Sequence, residues 1–168
     1  MMLYSMYTVL NLMKERGLLT EIESLDEIFQ KEAKANDKQV VGLETAEEQA
    51  YFLFNSLSLK AQAQILVLSI KEKEQEAEMT KMLNEAYLAG DGSKILYLIN
   101  LANTDMMSRK FMEKILDERN NNWIKKLPQL LKDNSCFIAV GFAHLVGETG
   151  LIKQLEKAGY KIEPIAAE

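Results

Sequence analysis

Residues 137–150 read FIAVGFAHLVGETG: an apolar run closed by Gly141, a histidine three places on, then a turn bracketed by Gly147 and Gly150. The β-branched run predicts a strand over Cys136–Val140. Past the turn, Glu148 or Thr149 can open a helix, GLIKQLEKA, which Gly159 ends, and Tyr160–Ile165 reads as another strand. Strand, helix and strand in succession imply a right-handed parallel crossover. This unit sets the expected fold class, α/β.

The rest of the chain is read against that unit. QVVGLE predicts a strand over Gln39–Leu43, and Thr45-Ala46-Glu47-Glu48 behind it is a capping box whose hydroxyl and carboxylate each satisfy a backbone amide. Before it, Leu3–Glu15 has a helical pattern that stops at Gly17, and Ser24 can cap a helix through about Lys34. After it, Ser58 can begin a long helix to Leu88, ended by Ala89-Gly90-Asp91-Gly92. Ser93 caps a short helix; Asp105 or Ser108 begins a longer one, interrupted near Leu127 because Pro128 has no amide to donate. The expected architecture is a small, mainly parallel sheet of about three strands with a large helical insertion, in a single domain over residues 1–168. So narrow a parallel sheet leaves edges and a face uncovered, so another chain supplies a strand or one precedes residue 1.

The composition excludes several classes of function. The 168 residues are 48% hydrophobic and 27% charged, with a net charge of −5, ordinary for a globular chain. That acidic balance offers nothing to neutralise a row of phosphates, so no nucleic-acid partner is expected. Cys136 stands alone, which rules out an intrachain disulfide. The opening MMLYSMYTVLNLMKERG lacks a basic n-region and a small-residue cleavage site, and reads as an ordinary helix rather than a signal peptide. No run approaches the ~20 apolar residues of a membrane span. The charged KEKEQEAE stretch reads as a solvated helix face.

Three positions carry chemistry. Ligands of parallel α/β sheets collect outside the carboxyl ends of the strands, and two such ends bear ionisable groups, Glu44 after VVGL and His144 after IAVG. A helix start follows each, which favours an ionised carboxylate and a neutral imidazole able to bind a metal or shuttle a proton. Gly42 and Gly141 let backbone approach a ligand closely. The third position is Arg119, which falls on the apolar stripe of Phe111, Ile115, Trp123, Leu127 and Leu130. A guanidinium on a buried face needs a carboxylate or a bound anion. Each position also has a plain structural reading. His144 can be a hydrogen-bonded residue after a strand, Glu44 a complement to the following helix, and Arg119 a tie to a carboxylate such as Glu44. Phe111 and Trp123 read as core. GETG has too few glycines for a phosphate-cradling loop, and Cys136 inside a strand makes no nucleophilic triad with one histidine.

Taken together, VVGLETAEEQ at 40–49, ERNNNW at 118–123 and FIAVGFAHLVGETGLIKQLEKAGYKIE at 137–163 resemble the carboxy-terminal part of the TraB/GumN family, which includes the animal TIKI proteases. The resemblance spans roughly residues 20 to 165 and implies a metal-dependent hydrolase fold similar to the erythromycin esterase and ChaN-like group. It implies Mn or Co as cofactor and a peptide or protein as substrate. His144 would match the second of the family's two Gly-x-x-His motifs as a metal ligand, with Gly141 and Gly147 as its backbone glycines. Glu44 would match the glutamate of the LET motif, as ligand or general base, and Arg119 the arginine before the tryptophan, as orienter of Glu44 or oxyanion stabiliser. Gln49 and Trp123 would be structural. The chain departs from the pattern by having no second histidine. The expectation is therefore a family domain without its first Gly-x-x-His segment, and a peptidase or hydrolase site incomplete in one chain. The alternative is a non-catalytic peptide- or protein-binding module, as in relatives linked to inhibition of peptide-pheromone signalling. Family members are often exported or lipid-anchored. The uncovered sheet predicts a homo-oligomer.

Overall fold

The computed structural model describes Met13, residues 24–102 and residues 106–165. The chain divides into two compact units, Met1–Asn55 and Ser56–Glu168. The expected helix Leu3–Glu15 lies, Met13 apart, outside the described residues.

In the first unit, α1 (Leu25–Ala35) begins at the Ser24 capping box: Ser24 Oγ accepts from the Glu27 amide at 3.3 Å, and the Ser24 amide donates to Glu27 Oε2 at 3.2 Å. An extended stretch follows and turns tightly at Gly42, where a Cβ would lie 2.8 Å from the Glu44 carbonyl oxygen. Next comes α2 (Ala46–Ala50), capped as its sequence requires: Thr45 Oγ1 accepts from the Glu48 amide at 3.1 Å and Glu48 Oε2 accepts from the Thr45 amide at 2.8 Å. It runs on into a π-helical turn, Tyr51–Asn55.

In the second unit, Ser58 caps α3 (Leu59–Lys71). The single helix expected to Leu88 is two, because the chain breaks at Glu72, before α4 (Lys73–Leu88). The break falls among exposed side chains, where no packing enforces continuity. Gly90, with φ +66°, turns α4 back into α5 (Gly92–Ala102). Asp91, rather than Ser93, caps α5, its Oδ1 accepting from the Lys94 amide at 2.9 Å. Asp105 lies outside the described residues, and α6 (Met106–Met112) leads through a π-helical turn, Glu113–Asp117, into α7 (Glu118–Trp123). The helix then restarts as α8 (Leu127–Asp133), with Pro128 in its first turn, where no amide is needed. Two short helices complete the unit, α9 (Phe142–Leu145) and α10 (Leu151–Lys157). Its core gathers Ala86, Ile95, Leu98, Trp123, Leu127 and Leu151. Leu98 and Leu127 are fully enclosed, each stabilising by about 1.5–3 kcal/mol.

The expected small parallel sheet is not there: helix is the only regular structure among the described residues. Gln39–Leu43, Cys136–Val140 and Tyr160–Ile165 run without a ladder, so the strand–helix–strand crossover and the insertion reading fall with it. Several of their apolar side chains are exposed, Phe137 at 76% and Ile165 at 95%. A β-branched sequence becomes a strand only through a ladder of hydrogen bonds and side-chain pairs with a neighbouring strand, and these segments carry no such ladder among the described residues. No single described helix is long and apolar enough to cross a membrane.

Candidate functional site

The π-helical turn Glu113–Asp117 delivers α7 so that two adjacent side chains, Arg119 and Asn120, face the short helix α9. Arg119 and Trp123 are one turn apart on α7, and the guanidinium lies 4.9 Å from the indole centroid, in cation–π range. Its Nη1 donates to the Ile115 carbonyl at 3.1 Å.

Opposite, Gly141 opens α9, a single turn closed by the His144 amide donating to the Gly141 carbonyl at 2.9 Å. The chain then turns through Gly147, whose φ of +86° is the left-handed region open to glycine. Gly150 leaves no room for a side chain, because a Cβ would sit 2.4 Å from the Val146 oxygen and 2.5 Å from that of Leu145. These two glycines fold the chain tightly enough to bring the carbonyls of His144 and Thr149 to one amide.

That amide is Asn120, only 1% exposed. Its Nδ2 donates to the His144 oxygen at 3.2 Å and to the Thr149 oxygen at 3.0 Å, while its Oδ1 lies 2.8 Å from His144 Nδ1. The other ring nitrogen, Nε2, lies 3.3 Å from Arg119 Nη1. The ring itself rests against Trp123, centroids 4.5 Å apart at 42°. Thr149 Oγ1 donates to Asp117 Oδ1 at 2.7 Å, fastening the turn to the π-helical segment. His144 is buried, at 8% exposure, with both ring nitrogens engaged.

The structure thus brings together Arg119, His144 and Trp123 of the expected residues. Glu44 lies in the first unit, half-buried just before the Thr45 cap of α2. Gln49 is exposed on α2. Gly141 has an ordinary φ of −59°, and a Cβ there would meet only His144 Cδ2, at 3.9 Å. Sequence reasoning missed Asn120, Thr149 and Asp117. A signal existed for Asn120: it stands three residues before Trp123 and seven before Leu127, the spacing of one helix face, yet it is first in a run of three asparagines that looks solvated.

A divalent cation does not fit the residues around His144. The lone pair a metal would take on Nε2 faces a guanidinium N–H, and the Asn120 oxygen faces the ring. Among the described residues no three His, Cys, Asp or Glu side chains are gathered as a ligand set.

In comparison with known proteins, the sequence profile of the TraB/PrgY/gumN family matches residues 1–164. The match takes in nearly the whole chain, and it does not confirm that only the carboxy-terminal part of the family domain is present or that TIKI proteins are its relatives. No curated protein and no solved structure matches the chain.

Proposed function

The chain belongs to the TraB/PrgY/gumN family, and we propose that it acts as a non-catalytic module that binds a peptide or another protein. One observation carries this reading: Nε2 of its only histidine is paired with the Arg119 guanidinium. A metal or a reacting proton at that nitrogen would have to displace a fixed cation from a buried site. The exposed apolar side chains on the extended segments support it too, since an added strand from a partner would cover them. A second copy of the chain is one such partner.

A second reading, a metal-dependent peptidase or hydrolase using Mn or Co, is favoured by the motif resemblance and by the firm seating of His144. In it His144 is a ligand and Arg119 an oxyanion stabiliser. The two are separated by isothermal titration of Mn(II), Co(II) and Zn(II) into the protein and into His144→Ala. The binding-module reading expects no stoichiometric uptake that depends on His144. One equivalent of metal bound by the wild type and lost in the variant would overturn it.

A further inference from the structure

We propose that Asn120 is a positioning residue that holds His144 in its Nδ1–H tautomer and so makes Nε2 the acceptor for Arg119. The inference rests on hydrogen-bond polarity alone, so it stands or falls independently of whether the site binds or hydrolyses. The two ends of the Asn120 amide are told apart by the backbone. One end lies 3.2 and 3.0 Å from the carbonyl oxygens of His144 and Thr149, which can only accept. That end is the NH2, since turning the amide over would set oxygen against oxygen twice in a buried place. The end facing the ring at 2.8 Å is therefore the amide oxygen, and Nδ1 must donate to it. A neutral imidazole protonated at Nδ1 carries its lone pair on Nε2. There Arg119 Nη1, which can only donate, lies at 3.3 Å. Every donor in the circuit meets an acceptor. The other tautomer would oppose a lone pair to the amide oxygen and an N–H to the guanidinium.

At 1% exposure, water does not stand in for the Asn120 side chain. One amide joins α7 to the carbonyls at both ends of the turn after α9, and through the ring it sets the direction of the Arg119 guanidinium. The bland alternative is that Asn120 only ties the turn to α7, which would leave the ring's tautomer indifferent to it.

Because His144 is the chain's only histidine, long-range 1H–15N NMR of the uniformly labelled protein reports its tautomer without assignment. The expected wild-type spectrum near neutral pH has a protonated Nδ1 and an unprotonated Nε2. In Asn120→Ala the pattern is expected to move towards the Nε2–H form that a free imidazole prefers. A wild-type spectrum with Nε2 protonated, or one averaged like a free imidazole, overturns the proposal. So does a folded Asn120→Ala whose tautomer is unchanged. Where the alanine variant does not fold, the wild-type spectrum decides alone.

Discussion

At the scale of single residues, the cluster around His144 joins saturated and unsaturated groups side by side. Asn120 and His144 satisfy one another, yet the Trp123 Nε1–H is buried and finds no acceptor among the described residues. An orphaned buried donor costs about 1–3 kcal/mol, and trimming indole to benzyl costs about as much in lost packing. The terms oppose each other. Trp123→Phe is therefore expected to stay within about 1 kcal/mol of wild type, against the ~3–5 kcal/mol of a Trp→Ala truncation. Urea unfolding followed by far-UV circular dichroism checks this, since both variants lose the only tryptophan; a Phe variant as unstable as the Ala variant would show that Nε1–H does have a partner. The glycines divide in the same way. Gly150→Ala would press a methyl into two carbonyl oxygens and is expected to cost several kcal/mol (roughly the upper range for single substitutions). Gly141→Ala meets ordinary contact distances and is expected within about 0.5 kcal/mol of wild type. Equal losses at both positions, measured by the same unfolding curves, would contradict the turn geometry. Arg119 was legible because a charge on an apolar stripe stands out. Asn120 was not, because an amide among amides carries no such contrast.

At the scale of elements, local chemistry was readable and pairing was not. The Ser24 and Thr45 boxes, the Ser58 cap, the stop at Gly90 and the restart at Pro128 are all settled within a few residues, so the sequence carries them openly. A strand is settled by partners far along the chain, which composition does not display, and no segment read as one is in a ladder among the described residues. The π-helical turn Glu113–Asp117 was equally hidden, because hydrophobic period does not reveal one extra residue in a turn. Such a residue rotates whatever follows by about 100°, enough to decide which side of α7 meets α9. The Thr45 box provides a test at this scale. Thr45→Ala removes the acceptor of the Glu48 amide, with an expected loss of about 1 kcal/mol. Amide hydrogen exchange should show Glu48 and its α2 neighbours less protected while α10 is unchanged. Unaltered exchange at Glu48 would mean that the hydroxyl bond contributes nothing in solution.

At the scale of the whole molecule, the exposed apolar residues stand out more than any pocket does. Val40, Val41, Phe137, Ile138 and Ile165 lie on extended segments with exposures from 36% to 95%. Leaving a large apolar side chain in water forgoes about 1.5–3 kcal/mol relative to burying it, so several such residues supply the free energy of a weak association, even after the cost of ordering two copies. The net charge of −5 opposes this only mildly, because surface charges more than about 8–10 Å apart are screened at physiological salt. Self-association at roughly tens of micromolar is therefore expected, and it should strengthen as salt rises. Replacing Phe137, three-quarters exposed, by glutamate adds a charge to such an interface and removes its largest apolar contributor. Sedimentation velocity over a concentration series is expected to show dimers or larger species for the wild type and a shift towards monomer for Phe137→Glu, with the His144 NMR signature intact in both. A wild type that stays monomeric throughout would mean that these segments satisfy themselves within one chain, and would remove the main support for an added partner strand.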